Sequence, residues 1–271
     1  MTTPAIARQD DGTVQITFTI PWAKIASVRE ETIKELAVNV EVPGFRKGKA
    51  PLDKAEAKLD KQYVLEHTLS HILPKLFSDF IRDEKLRPAI YPKFELLEAK
   101  EGEDWQVRAK TAELPDFKLD DYAGVIKKVA KKSEKLTLEQ KENMAIATLI
   151  GHFKFPIPKL LIEEEVNSRL SSLLERIEKL GLSLESYLAS VKKTAEELRV
   201  EYGAAAERAI RIDIVLARIA EKEKVTVAED EVSAFIGAAN ASGQEVTNDQ
   251  KSTISSFLIK RKVLEKLTAL L

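Results

Sequence analysis

The sequence predicts an α+β chain: an N-terminal ββααββ domain with an antiparallel sheet, followed by an elongated all-α domain with helical arms. Three observations predict it. Val14, Ile16, Phe18 and Ile20 alternate with polar residues at the period of a half-buried strand. Two further strand-like runs follow between Tyr91 and Leu114, after two helical patterns, so that local strand pairs flank two helices. From Leu136 onward apolar residues recur only at helical spacings, and helix-starting residues punctuate them.

Taking the elements in order, "QDDGT" reads as a hairpin turn between a short strand near Pro4 to Arg8 and the alternating strand. Pro21 suits a first helical turn, and Ile25, Val28, Thr32 and Leu36 recur at steps of three and four, predicting a helix that ends near Val40. Leu65, Leu69, Leu73, Leu76 and Phe80 mark a second helix in which Pro74 predicts a kink or interruption. "YPKFELLEAKEGEDWQVRAKTAEL" supplies the last strand pair, with its turn at Gly102, and the first domain is expected to span residues 1–114.

Residues 115–135 are polar and weakly periodic and are expected to be a linker, carrying Lys127, Lys128, Lys131 and Lys132 as a solvated basic run. A helical domain is expected over 136–271. Thr137 with Gln140, Thr226 with Glu229 and Thr247 with Gln250 have capping-box spacing, each predicting a helix start. Pro158 and Gly181 bracket a helix with Ile162, Val166, Leu170, Leu173, Ile177 and Leu180 on one face. A longer helix, or a bent pair, is expected from Ser183 to about Lys222, and two final helices flank "NASGQEV".

Composition narrows the chemistry. With 43 Lys and Arg against 44 Asp and Glu, a net charge of -1 exerts no global pull on nucleic acid or acidic membranes, so any electrostatic docking is local. No cysteine excludes disulfides and thiolate chemistry. No apolar run approaches the ~18 residues of a membrane span, and the N-terminus lacks a secretory pattern, so no membrane partner and a cytoplasmic location are expected. His67 and His71 share a helical face but lack a zincin-type Glu between them, and "GFRKGKA" fails as a phosphate loop because its glycines stand too close and Ala50 replaces Ser or Thr. Glu163 to Glu165 are read as complementing a helix dipole. No metal, cofactor or catalytic group is expected.

The stretch "EVPGFRKGKAPLDKAE" is different. It sets Phe45 beside Arg46, Lys47 and Lys49, between Pro43 and Pro51, with Gly44 and Gly48 at its turns. Water penalises an exposed phenyl ring, and cations are not buried without partners, so the stretch reads as a surface made to meet another molecule.

Gly44-Phe45-Arg46-Lys47-Gly48-Lys49 followed by Pro51 resembles the ribosome-docking signature of the trigger factor family, in which it sits at a tip between two helices of a ββααββ domain. "IPKLLIEEEVNSRL", "GLSLESYL", "AEKEKVTVAEDEV" and "FLIKRKVLEKL" are similar to the family's C-terminal domain. The join "AGVIKKVAKKSEKLTLEQ" leaves no room for the peptidyl-prolyl isomerase domain that typical members carry, so the resemblance is to a two-domain variant without isomerase activity.

The resemblance implies an ATP-independent holdase, with no cofactor, that docks on protein or RNA of the large ribosomal subunit at the tunnel exit and shields nascent or unfolded polypeptides. The alternative is an assembly factor or adaptor without general client binding. Whether the free chain forms a homodimer stays open. Phe153, Phe155, Ile157, Phe235, Ile236 and Phe257 are the candidate client contacts, with core packing as the plainer reading for each.

Overall fold

The computed structural model describes residues 4–130, 136–241 and 250–271. The chain divides into two compact units, Met1–Leu114 and Pro115–Leu271.

The first unit runs β1 (Ala5–Arg8), β2 (Thr13–Ile20), α1 (Trp22–Ala37), α2 (Leu52–Glu56), α3 (Lys61–Asp83), β3 (Lys93–Glu98) and β4 (Trp105–Ala112). Its antiparallel sheet has the order β1-β2-β4-β3, with Val14 opposite Thr111 and Phe18 opposite Val107. The period-2 alternation of β2 and β4 puts Ile16, Phe18, Ile20, Val107 and Ala109 on one face. Ile25 of α1 and Ile72, Phe77 and Phe80 of α3 pack into the same cluster. The Phe18 and Phe80 rings meet edge to face, 5.6 Å apart.

α1 stops at Ala37 rather than near Val40, because Asn39 and Val40 donate back three residues, to Leu36 and Ala37, and the chain turns away. Its first turn has no side-chain cap from Pro21; instead the carboxylate of Asp104, in the β3–β4 turn, accepts from Trp22 N–H at 2.9 Å. Pro74 does not end α3. A proline in a helix interior costs ~3 kcal/mol, but Ile72 and Leu73 are buried at its level and Phe77 and Phe80 beyond it. At ~2 kcal/mol for each such side chain, the two flanking turns hold the helix on the sheet.

The second unit runs α4 (Tyr122–Val129), α5 (Leu138–His152), α6 (Lys159–Lys179), α7 (Leu184–Val191), α8 (Ala195–Lys222), α9 (Glu229–Ala241) and α10 (Lys251–Thr268). α4 corrects the reading of 115–135 as a linker. Asp121 caps it by accepting from Gly124 N–H at 2.8 Å, and Ile126 is fully buried. Tyr122 donates to Glu223, just past the end of α8, at 2.6 Å, and desolvation with that carboxylate pushes its hydroxyl up to about 12. An eight-residue helix has too few turns to print a clear period on the sequence. Lys131 and Lys132 lie outside the described residues.

Thr137 and Gln140 form the expected capping box. Thr226 does not: α9 begins at Glu229, and the Thr226 carbonyl accepts from Lys262 Nζ at 3.2 Å. Thr247 lies outside the described residues. α6 is closed by Gly181 at φ 69, with Leu182 N–H reaching back to Ile177 at 2.9 Å. Glu163 to Glu165 sit past the first turn of α6, where Glu165 pairs with Arg169 at 2.7 Å. The stretch after Ser183 is a pair of helices, broken at Lys192 in the left-handed region (φ 54) and restarted by a capping box of Thr194 and Glu197.

Candidate functional site

Between α1 and α2 the chain leaves the first unit as a finger built from two consecutive turns. Phe45 N–H donates to Val42 O at 3.0 Å around Pro43 and Gly44, and Lys49 N–H donates to Arg46 O at 2.9 Å around Lys47 and Gly48. Pro43 supplies the fixed φ of the first turn and Gly44, at φ 84, the positive φ of its third position, as a type II turn requires. Gly48 repeats the device at φ 72 under tighter limits, since a Cβ there would stand 2.9 Å from the carbonyl oxygen of Val38. Pro51 ends the finger as the N-cap residue of α2.

The base is anchored while the tip is free. Val42 and Ala55 are buried, and Arg29 of α1 binds Glu56 of α2 at 2.7 Å. Phe45 is 39% exposed, with Lys54 Nζ 5.0 Å from its ring centre. Arg46, Lys47 and Lys49 are exposed, and among the described residues no carboxylate pairs with any of them. The finger therefore offers one ring and three unneutralised cations on a backbone whose shape is set by two hydrogen-bonded turns and two prolines. Such a surface is chemically suited to an apolar notch rimmed by carboxylates or phosphates.

Gly48→Ala is expected to distort this tip, because it combines a positive φ with a backbone clash, whereas Gly44→Ala meets open space and carries only the conformational cost of ~1 kcal/mol. Amide chemical shifts from Val38 to Pro51 check it: Gly48→Ala should move them throughout the finger, and Gly44→Ala only near its own turn.

The proposed client contacts separate into two groups. Phe153, Phe155 and Ile157 are buried, at 4%, 8% and 6% exposure, the plainer of the two readings given for them, and this removes them from the candidate client contacts. Phe117, from the stretch read as linker, stacks on Phe155 at 4.5 Å and meets Phe153 at 5.6 Å. Arg211 of α8 donates to the Phe155 carbonyl at 2.7 Å and lies over the Phe155 ring, so the segment between α5 and α6 is clamped into the unit. Phe235 and Phe257 are exposed and only 5.9 Å apart, with Ile236 half-buried beside them.

The sequence reading missed a second apolar surface. Leu180, Leu182 and Leu184, around the α6–α7 connection, are 73%, 48% and 36% exposed, and Leu174 of α6 and Val200 of α8 are 45% and 65% exposed. Beneath lies a small core of Leu173, Ile177 and Leu198. Periodicity had put Leu180 on the buried face of α6, but the helix has ended by then, so period no longer fixes where the side chain goes.

The histidines form no metal site: His71 faces Glu35 at 3.3 Å, His67 packs on Tyr63, and no group of three or more His, Asp or Glu ligands comes together among the described residues. No described helix is long and apolar enough to cross a membrane.

Comparison with known proteins gives two family matches. Residues 5–147 match the family of bacterial trigger factor protein, and residues 120–269 match the bacterial trigger factor C-terminus. The two matches overlap, so no further domain is inserted between them. The trigger factor of Mycobacteroides abscessus is 31% identical over 112 residues, covering 41% of this chain and 23% of that protein. That of Staphylococcus carnosus is 25% identical over 150 residues, covering 55% and 32%. The matched stretches thus span about a quarter to a third of these relatives. A solved trigger factor chaperone, described for promiscuous substrate recognition in folding and assembly activities, aligns over 99% of both chains with a TM-score of 0.63 at 15% identity, a likeness of fold.

Proposed function

The chain belongs to the bacterial trigger factor family, and from that premise we propose that it is a nucleotide-independent holdase which docks on the large ribosomal subunit near the tunnel exit and shields apolar segments of emerging polypeptides. The observation that carries the proposal is the finger, with Phe45 part-exposed and Arg46, Lys47 and Lys49 unneutralised on a turn-locked backbone. Phe45 acts as the central anchor, worth roughly 2 kcal/mol in an apolar notch, while the cations meet carboxylates or RNA phosphates. Gly44, Gly48, Pro43 and Pro51 set the shape beforehand, which lowers the ordering entropy lost on docking.

Client holding requires exposed apolar surface that is too scattered to aggregate with itself. Phe235 and Phe257 offer one patch, and the leucines around the α6–α7 connection another. Several weak contacts on one polypeptide combine through effective concentration, and they release when the client buries its own apolar residues. No step in this cycle calls for a cofactor. With no domain between the two family halves, the protein is proposed not to be a prolyl isomerase.

The test is suppression of aggregation of a chemically denatured protein without nucleotide. Suppression is expected at small molar excess and is expected to drop when Leu180 and Leu182 are both replaced by serine. The same preparation should leave proline-limited refolding unaccelerated. An absence of suppression at severalfold excess would instead make the protein an adaptor that docks without holding clients.

A further inference from the structure

Beside the finger stands a fourth cation whose position differs from that of the other three. Lys54, on α2, sends its ammonium over the ring of Phe45, with Nζ 5.0 Å from the ring centre. Among the described residues Lys54 pairs with no carboxylate, and Glu56, two positions on, is committed to Arg29 at 2.7 Å. A phenyl ring carries negative charge on its faces, so an ammonium above one face is attracted to it while the lysine stem covers apolar carbon.

The two ends of this contact are held differently. Phe45 closes the first turn by donating to Val42 O, and Arg46 opens the second, so the Phe45 backbone is fixed on both sides. That backbone still leaves the ring, 39% exposed, several staggered rotamers. Lys54 is rooted in α2. Its N–H and that of Ala55 donate to Pro51 O at 3.1 and 3.0 Å, Ala55 is fully buried, and the Arg29–Glu56 pair ties the following residue to α1. The ammonium thus connects a ring whose direction the tip leaves open to a helix whose place is set.

We infer that Lys54 is the positioning residue for Phe45 in docking: it holds one face of the ring against α2, so that the partner meets a preset ring by its other face and its edge. This deepens the docking reading and rests on it. A ring held in advance loses less rotamer freedom on contact. Arg46, Lys47 and Lys49 meet charge on the partner, whereas Lys54 acts through the ring.

The experiment is cosedimentation of the chain with ribosomes at several salt concentrations, for Lys54→Ala, Lys54→Arg, Phe45→Ala and the double variant Phe45→Ala/Lys54→Ala. Alanine is the best helix former and Lys54 is exposed, so α2 should stand. Lys54→Ala is expected to weaken docking about threefold without changing the dependence of log affinity on log salt, whereas losing a phosphate-binding lysine lowers that slope by about one. Lys54→Arg should dock like the unaltered chain, because a guanidinium also stacks on an aromatic face. Once Phe45 is alanine, Lys54→Ala should make no further difference. In proton spectra of the free chain, ring current should move the Lys54 ε-methylene upfield of the other lysines, and Phe45→Ala should abolish that displacement.

Tighter docking by Lys54→Ala would make the lysine a latch that docking must release, and would overturn the inference. So would an equal effect of Lys54→Ala with and without the Phe45 ring, or a salt slope lowered by about one, since either makes Lys54 a direct contact. Amide shifts that move from Val38 to Pro51 in Lys54→Ala would make it a support of the turns and overturn it likewise. So would an equal loss in Lys58→Ala, which removes the same charge from an exposed position just past α2. Failure of the docking reading looks different. Undiminished docking by Phe45→Ala sinks that reading itself, whereas weakened docking by Phe45→Ala with no effect of Lys54→Ala sinks only the role given to Lys54.

Discussion

Replacing Phe45, Arg46 and Lys47 together by alanine is expected to abolish cosedimentation with ribosomes while leaving the helical content unchanged. The ring contributes roughly 2 kcal/mol as a central anchor, and each cation up to ~1 kcal/mol at an interface rim. A combined loss of about 3–4 kcal/mol corresponds to a factor of a few hundred or more in affinity. The fold has no reason to respond, because the three side chains are exposed and the base of the finger is held by Val42, Ala55 and the Arg29–Glu56 pair. The separate variants divide the effect. Phe45→Ala should weaken binding about equally at all salt concentrations, and Arg46→Ala/Lys47→Ala should flatten the salt dependence. A triple variant that still cosediments normally would remove the finger from the docking site.

Phe155→Ala is expected to destabilise the second unit by about 3–5 kcal/mol, the range for truncating a buried phenylalanine, against a total stability of about 5–15 kcal/mol for a typical domain. The ring is 8% exposed, stacked on Phe117 and covered by Arg211, so alanine would leave a cavity and loosen the clamp on the chain between α5 and α6. Phe257→Ala, at 51% exposure, should cost under ~1 kcal/mol. Guanidinium unfolding monitored by far-ultraviolet circular dichroism separates the two: a lowered midpoint for Phe155→Ala and an almost unmoved one for Phe257→Ala. Similar small shifts for both would return Phe155 to the surface as a candidate client contact.

The contrast between these two rings marks what could be read in advance. Both stand in helical country among apolar neighbours, and no local pattern distinguishes them. Phe155 is buried because Phe117, 38 positions earlier in a stretch that reads as polar linker, folds against it. The finger was more legible. Proline and glycine at fixed offsets specify a turn through their own φ preferences, and the run of cations around Phe45 has no apolar periodicity that would draw it inward. What the sequence reading lacked there was α2, too short to show a period, and the Val38 carbonyl that restricts Gly48.

The sequence by itself determined the two strand pairs flanking α1 and α3, the helices from α5 onward, the turns at Gly44, Gly48 and Gly181, and the capping box at Thr137, since each follows from dihedral preference or side-chain period over a few neighbouring residues. Tertiary structure alone decided which apolar side chains reach solvent, that the distant Asp104 carboxylate accepts from the first N–H of α1, and that α3 runs through Pro74. The physical reason is range. Backbone preference acts within a turn of the chain, whereas burial and the pairing of a distant carboxylate depend on which surfaces the fold brings together.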